Sequence, residues 1–162
     1  LACGTGSMTA VLTERGYELI GVDESPDMLA VAREKAAGLK GEPPVFLNQS
    51  MPKLDLYGTV EAAVCCLDSL NYLTSPREVQ RTFERLALFI APGGILIFDI
   101  NSASYLRDLN GQVFLDETDD VLRLARGIRE AEPGMHLLDG YLYPPGGRRL
   151  EPIRGVAPPA GL

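Results

Sequence analysis

Two glycines near the start of the chain have the spacing of a turn that holds a ligand. Gly4 and Gly6 lie between a short apolar stub and a helix-forming stretch that begins at Ser7. Glycine permits close approach of the backbone to a ligand, and the following helix directs its unpaired N–H groups and positive dipole end toward the turn. Asp23 follows at the end of the apolar run 17–22. A glycine turn with an acid about twenty residues later is typical of a βαβ unit that binds the ribose hydroxyls of a nucleoside.

The turn departs from the dinucleotide fingerprint, which has a third glycine three positions after the second. Thr9 stands there, and the motif reads A-C-G-T-G. Three further stretches accompany it: S-P-D-M-L-A-V-A-R from Ser25, C-L-D-S-L-N-Y-L from Cys66 and P-G-G-I-L-I-F-D from Pro92. Together they resemble the class I S-adenosylmethionine-dependent methyltransferases of the small-molecule type, over roughly residues 1–120. The resemblance implies a Rossmann-like three-layer α/β/α sandwich with a mostly parallel sheet of strand order 3-2-1-4-5, and S-adenosyl-L-methionine as the cofactor.

The resemblance also implies which residues contact the cofactor. They come from the glycine turn and from the ends of the next three strands: Ala2, Cys3, Gly4, Gly6, Asp23, Glu24, Met28, Gln49, Ser50, Met51 and Leu67. In the family an acid commonly binds the adenine amine, but here Ser50 stands at that position, and a hydroxyl carries no charge. Gln49 is a candidate replacement. Met28 packs on the adenine in one interpretation and in the core in another, because Leu29 and Ala32 follow it at helical spacing.

The end of the apolar run 60–67 carries candidates for the methyl-acceptor side of the site. Asp68 and Tyr72 follow this run, and open α/β sheets bind ligands at the carboxyl ends of their strands. Either residue could remove a proton from the acceptor or only orient it, and Asp68 could instead cap the following turn. The stretch is neither N-P-P-Y, as in amide or base-nitrogen methylation, nor the Pro-Cys signature of cytosine carbon-5 methylation. The resemblance to the small-molecule type implies methyl transfer to an O, N or C nucleophile of a small molecule.

Periodicity and capping signals predict the elements that position these residues. Helices are expected over 7–15, 26–36, 77–90 and 102–109, and strands over 17–22, 45–48, 60–67 and 95–100, with a sharp turn at 91–94. The strands are nearly continuous apolar runs, which indicates a parallel sheet covered on both faces.

Composition limits the classes of protein to consider. A chain of 162 residues with 46% hydrophobic residues suits one domain of ordinary core size, and no membrane span is expected because Pro92 and two glycines interrupt the longest apolar run. The net charge of −7 argues against a nucleic-acid partner. Cys3, Cys65 and Cys66 lack the spacing of a metal site or a disulfide framework, which favours a cytoplasmic location and no metal. The oligomeric state stays unknown.

The two ends of the chain lead to different expectations. The methyltransferase-like domain is expected over residues 1–121. Residues 122–162 hold seven of the 17 glycines and six of the 12 prolines, so that an irregular tail is expected in place of the family's terminal antiparallel hairpin. A reading-frame slip near Val121 would give such a non-native tail, and no catalytic role is expected for His136. Only two residues of the first strand are present, which predicts an N-terminally truncated fragment that is inactive alone.

Two other classes of protein stay open. A nicotinamide-dependent Rossmann enzyme fits Gly4, Gly6 and Asp23, although Thr9 and the C-L-D-S-L-N-Y-L stretch speak against it. A non-catalytic nucleotide-binding or scaffold domain is favoured by Ser50 and by the nearly absent first strand. Binding of S-adenosylhomocysteine compared with that of NAD and NADP would separate these classes.

Overall fold

The computed structural model describes residues 1–73 and 75–108, together with strands at 113–117, 122–129, 136–143 and 151–155. These residues belong to two compact units. The first contains Leu1–Leu70 and Arg77–Asp99, and the second contains Asn71–Pro76 and Ile100–Leu162. All of the cofactor residues expected from the sequence belong to the first unit.

Strands and helices alternate along the first unit, as the sequence predicts. Its helices and strands are α1 (Ser7–Glu14), β1 (Ile20–Asp23), α2 (Pro26–Ala36), β2 (Val45–Asn48), β3 (Val60–Cys65), α3 (Pro76–Phe89) and β4 (Ile90–Phe98). Short 3-10 turns follow β2 at Met51–Lys53 and β3 at Ser69–Tyr72. The strands form two parallel pairs, β1 with β2 and β3 with β4.

The backbone of residues 1–3 lies between the two strand pairs. The Leu1 nitrogen donates a hydrogen bond to the Val64 carbonyl of β3 at 2.8 Å, and the Cys3 N–H donates to the Val22 carbonyl of β1 at 3.0 Å. The resulting order is β2, β1, residues 1–3, β3 and β4, which is the 3-2-1-4-5 order that the resemblance implies. The predicted α/β fold with a mostly parallel sheet is confirmed.

Local sequence signals explain where the helices beside this sheet begin and end. Ser25 caps α2, because its Oγ accepts a hydrogen bond from the Met28 N–H at 3.3 Å, and Pro26 occupies the first helical position. Gly16 follows α1 with a φ of 90°, and its N–H donates to the Thr13 carbonyl at 2.9 Å. A left-handed glycine of this kind ends a helix and satisfies one of its last carbonyls.

The core of the first unit forms one cluster of buried side chains, Val22, Leu54, Leu86 and Phe89. The last two lie on the buried face of α3. Burial of a side chain of this size contributes about 1.5–3 kcal/mol. Arg85 of α3 also donates a hydrogen bond to the Leu54 carbonyl, which ties the helix to the loop after β2.

The predicted turn at 91–94 is part of a strand. β4 begins at Ile90, and its pairing with β3 shifts register before Ile95, so that residues 91–94 form a bulge. A Cβ on Gly94 would lie 2.6 Å from the Glu61 carbonyl oxygen. Glycine therefore lets the two strands approach closely enough to continue pairing where the sequence indicated a break.

The second unit contains α4 (Ala103–Asp108) and an antiparallel sheet of β5 (Val113–Glu117), β6 (Leu122–Arg129), β7 (His136–Tyr143) and β8 (Glu151–Gly155). The prediction of an irregular tail is therefore wrong for β6, β7 and β8, and β6 with β7 forms an antiparallel pair where no hairpin was expected. Glycine and proline counts over the whole range concealed two eight-residue strands, in which Gly127 and Gly140 are tolerated within the pairing. The domain boundary at residue 121 and the reading-frame hypothesis stay predictions.

Candidate functional site

The glycine turn before α1 has a left-handed backbone at three positions. Ala2, Gly4 and Gly6 adopt φ values of 49°, 52° and 73°. This conformation costs a residue with a Cβ about 1–2 kcal/mol, a cost that glycine avoids. The Gly6 N–H donates to the Cys3 carbonyl at 2.9 Å, and the Gly6 carbonyl accepts from the Ala10 N–H at 2.8 Å. The turn thus leads directly into the first hydrogen bond of α1.

The two glycines of the turn face different surroundings. A Cβ on Gly6 would lie 3.0 Å from the Cβ of Ala32 in α2, whereas a Cβ on Gly4 would have no heavy atom within 4 Å. Gly6 is therefore needed for close packing of α2 against the turn. Gly4 leaves an open face through which a ligand can reach the backbone.

Asp23, the last residue of β1, is fixed by two backbone groups. Its Oδ2 accepts a hydrogen bond from the Gly4 N–H at 2.7 Å, and its Oδ1 accepts from the Ser25 N–H at 2.9 Å. An ionised carboxylate has about four acceptor positions, two on each oxygen. The half-buried Asp23 therefore keeps acceptor capacity for the hydroxyls of a ligand beside Gly4.

Cys3 contributes backbone, not a reactive thiol, to this turn. Burial raises the pKa of its thiol above the ordinary value of 9.0, and the nearby Asp23 carboxylate raises this pKa further. The thiol therefore stays protonated at neutral pH, whereas a nucleophilic cysteine requires a thiolate. The Cys3 N–H is already engaged with Val22.

Glu24 and Met28 lie on the surface after β1. Glu24 is exposed, and the Met28 side chain is 46% exposed at the start of α2. Leu29 and Ala32, by contrast, are fully buried. Of the two interpretations of Met28, packing in the core disagrees with this exposure. Contact with the adenine stays a prediction.

The loop after β2 uses Gln49 to hold its own backbone. The Gln49 side chain donates to the Asp55 carbonyl at 3.0 Å and accepts from the Asp55 N–H at 2.9 Å. Its amide is therefore committed to the loop, which weakens its candidacy as a replacement for the adenine-binding acid. Ser50 makes no capping hydrogen bond with its side chain, and the Met51 sulfur lies 3.8 Å from the Cys65 sulfur.

The carboxyl end of β3 has a second left-handed turn. β3 ends at Cys65, two residues before its predicted end, because Leu67 and Asp68 adopt φ values of 59° and 50°, outside the extended region. Both N–H groups donate to the Asp99 carboxylate, from Leu67 to Oδ2 at 2.9 Å and from Asp68 to Oδ1 at 2.8 Å. No role for Asp99 is expected from the sequence. Its position directly after a strand parallel to β3 was the available signal.

Tyr72, the other predicted catalytic residue, belongs to the second unit. Its side chain is 69% exposed. In the same unit, the neighbouring Asn71 accepts a hydrogen bond from the Asn101 N–H through Oδ1 at 3.0 Å. That Asp68 or Tyr72 removes a proton from the acceptor or orients it stays a prediction.

Membrane-spanning and metal-binding features are absent from the described part of the chain. No helix there combines the length and the apolar character needed to cross a bilayer. The same residues contain no group of three or more His, Cys, Asp or Glu side chains that could hold a metal ion. Cys3, Cys65 and Cys66 are free thiols.

Comparison with known proteins identifies residues 1–94 as a match to a family model described as a methyltransferase domain. Among curated proteins, YqeM of Bacillus subtilis (strain 168), provisionally named a methyltransferase, is 37% identical over 123 residues, covering 75% of this chain and 49% of YqeM. The glycine/sarcosine/dimethylglycine N-methyltransferase of Actinopolyspora halophila is 31% identical over 100 residues, covering 60% of this chain and 18% of that protein. The chain thus spans half or less of the length of these two relatives.

A similar solved structure is a crystal structure of an S-adenosylmethionine-dependent methyltransferase from Clostridium acetobutylicum ATCC 824. The TM-score is 0.78 at 27% sequence identity, and the alignment covers 96% of this chain and 63% of that one. The sequence and structural comparisons therefore point to the same class of protein as the motifs.

Proposed function

Because the chain belongs to the class I S-adenosylmethionine-dependent methyltransferases, we propose that it transfers the cofactor's methyl group to an O, N or C nucleophile of a small molecule. One observation carries the proposal: the Asp23 carboxylate and the Gly4 N–H meet at 2.7 Å, on a stretch of backbone whose side-chain face is open. This arrangement combines an anionic acceptor of hydrogen bonds with room for a nucleoside.

The residues of the glycine turn fit the nucleoside half of S-adenosylmethionine. The remaining acceptor positions of Asp23 suit two ribose hydroxyls, which are hydrogen-bond donors. The missing side chain at Gly4 removes a steric obstacle beside them. Met28, exposed at the start of α2, offers an apolar surface for the adenine, and the Ser50 hydroxyl can accept a hydrogen bond from its amine.

On the acceptor side the protein has to orient a nucleophile and, for some acceptors, remove a proton. When bound, S-adenosylmethionine supplies an electrophilic methyl group on a sulfonium centre. Asp68, in the turn after β3, would accept a hydrogen bond from the acceptor or take its proton. Holding the nucleophile in line contributes most of the acceleration that such a site can supply.

An amine is the first class of acceptor to test, because the Actinopolyspora halophila relative is named for three amines. An amine must be unprotonated to attack, so a carboxylate that accepts its N–H also helps to present its lone pair. Alcohols and phenols form the second class, since a carboxylate can equally accept an O–H.

Ligand binding by the full-length protein tests this proposal. We expect S-adenosylhomocysteine to raise the midpoint of thermal unfolding, by an amount equivalent to about 2.7 kcal/mol at a hundred times its Kd. NAD and NADP should leave the midpoint unchanged. A rise with NAD or NADP would favour a nicotinamide enzyme, and no rise with any of the three would favour a scaffold role.

Methyl transfer is then measured from radiolabelled S-adenosylmethionine to a panel containing glycine, sarcosine and catechol. Incorporation by the natural sequence but not by Asp23→Ala would tie transfer to this site. Binding of S-adenosylhomocysteine without transfer to any member would leave the cofactor site intact and direct the search to other acceptor classes.

We further propose a cytoplasmic location, supported by the three free thiols, and no nucleic-acid partner, supported by the net charge of −7. Alkylation of intact cells with a membrane-permeant maleimide should label cysteine without prior reduction.

A further inference from the structure

Asp99 joins two neighbouring strand ends on the acceptor side of the site. It follows β4 directly, and its carboxylate accepts the N–H groups of Leu67 and Asp68, which follow β3. We propose that Asp99 is a positioning residue for methyl transfer: it holds Leu67 and Asp68 in the left-handed conformation and so directs the Asp68 side chain toward the acceptor. The role given to Asp68 rests on the proposed function. The hydrogen bonds between the Asp99 carboxylate and the backbone of the turn do not depend on it.

The conformation of the turn needs such a partner. Two successive residues with a Cβ are held at positive φ, which each of them disfavours by itself. The Leu67 side chain is 83% exposed, so that packing of this side chain does not hold the turn. Two hydrogen bonds to a carboxylate are among the stronger polar contacts in proteins and can offset this strain. One side chain, that of Asp99, therefore accepts the hydrogen bonds that offset the strain at both residues.

Asp99 is itself well anchored for this task. Its N–H donates to the Cys65 carbonyl at 3.3 Å, which extends the pairing of β3 with β4 by one residue. On the other side of the turn, the Ser69 Oγ donates to the Cys66 carbonyl at 2.7 Å. The loop from Cys65 to Ser69 is thus closed at both ends, and Asp99 supplies the contact in its middle.

Strain concentrated at a substrate-facing loop is a recurrent feature of functional sites. Here it has a specific consequence for the side chains. A left-handed residue directs its Cβ differently from an extended one, so that release of the turn would reorient Asp68 even where β3 itself is unchanged. Loss of Asp99 should therefore act on the acceptor through Asp68 and leave the glycine turn as it is.

Amide hydrogen exchange, measured by NMR on the full-length protein, tests the contact without any acceptor. In Asp99→Ala we expect exchange at the Leu67 and Asp68 amides to accelerate at least tenfold. In Asp99→Asn only one oxygen can accept, so that one of the two amides should accelerate and the other stay protected. Asp27→Ala removes an exposed carboxylate in α2 and serves as the matched control, with no change at either amide. Unchanged exchange in Asp99→Ala would overturn the proposal.

A double-mutant cycle tests the consequence for catalysis, with whichever of glycine, sarcosine or catechol is methylated. Asp99→Ala should lower kcat/KM at least tenfold, and by more than it raises the Kd of S-adenosylhomocysteine, which Leu67 is also predicted to contact. In an Asp68→Ala background the same change should have little further effect, because the residue that it positions is gone. Additive losses would show that Asp99 acts by another route and would contradict the positioning role. Should none of the three acceptors be methylated, the exchange experiment still decides the contact, and the cycle is repeated with other acceptor classes.

Discussion

Two turns of the first unit are built on the same plan from different residues. In each, residues of the turn take a left-handed conformation, and an acid at the end of a nearby strand accepts one or two of the turn's N–H groups. Asp23 does so for Gly4 on the proposed cofactor side, and Asp99 does so for Leu67 and Asp68 on the proposed acceptor side. The first turn has glycine at two of its three left-handed positions and leaves open space at Gly4, whereas both left-handed residues of the second turn carry side chains.

The difference reflects what each turn has to present. A turn that binds a nucleoside through its backbone gains from having no side chain, and glycine supplies both the space and the conformation without strain. A turn that acts through a carboxylate must keep its Cβ and must have its strain compensated by another residue. We infer that the first turn is specified mainly by its own residues and the second mainly by Asp99.

The largest effect should follow from a methyl group on the packed glycine of the first turn. Gly6→Ala adds left-handed strain of about 1–2 kcal/mol. It also adds overpacking against the Cβ of Ala32, 3.0 Å away, which costs about 1–3 kcal/mol. We expect the free energy of unfolding to fall by about 2–5 kcal/mol, a large part of the roughly 5–15 kcal/mol typical of a domain. Urea denaturation measures the loss.

Gly4→Ala is the matched variant, because its new methyl group meets open space. It should cost only about 1–2 kcal/mol of stability, from the left-handed conformation alone. S-adenosylhomocysteine should nevertheless bind at least tenfold more weakly to it by calorimetry. Equal losses of stability in the two variants would contradict the division of roles between the glycines.

The next effect separates the two carboxylates. Asp23→Ala removes an acceptor of ribose hydroxyls, and each charge-assisted hydrogen bond contributes about 1.5–3 kcal/mol, so that S-adenosylhomocysteine should bind at least tenfold more weakly. Asp68→Ala should leave this affinity within about twofold and lower methyl transfer instead. Calorimetry on both variants checks the first statement and initial rates check the second. If Asp23→Ala bound as well as the natural sequence, Asp23 would not be part of the site.

The sequence predicted the first turn well because its signals are local. Glycine spacing, the cap at Ser25 and the acid at the end of β1 all lie within twenty-five residues, and each has one common structural meaning. The parallel strands were also predictable from their apolar runs. The bulge in β4 was not, because a Pro-Gly-Gly sequence more often forms a turn. The strands after residue 121 were missed because composition was averaged over a range that contains both regular and glycine-rich parts.

The second turn could not be predicted in the same way. The contacts between Asp99 and the turn join residues 32 and 31 positions apart. Neither Leu67 nor Asp68 favours positive φ strongly enough for the sequence to predict this conformation. An acid ending the strand next to β3 was visible in the sequence, but its partner depended on a backbone conformation that only the structure supplies. The commitment of the Gln49 amide to Asp55 was hidden for the same reason.

A smaller effect is expected where the cofactor side departs from its family. Ser50 occupies the position of the adenine-binding acid, and its side chain makes no capping hydrogen bond. Ser50→Asp should therefore tighten S-adenosylhomocysteine binding by up to about tenfold, the value of one added charge-assisted hydrogen bond, or leave it unchanged. Ser50→Ala is the control and should weaken binding slightly. Clear weakening by Ser50→Asp in calorimetry would show that this loop holds the adenine in another way.

The smallest expected effect is a loss of stability with rising pH that depends on the Cys3 thiol. Burial and then Asp23 raise the pKa of Cys3 above 9.0, so that the folded protein holds this proton more tightly than the unfolded chain does. The resulting stability is fully present below pH 9 and is lost as pH rises through the folded-state pKa. The stability of the natural sequence relative to Cys3→Ala should therefore decline between pH 9 and the folded-state pKa. Cys65, whose pKa burial also raises, is present in both proteins and cancels in the difference. A difference that stays constant across this range, or iodoacetamide labelling of Cys3 with an ordinary thiol profile, would mean that the turn is open to water at Cys3.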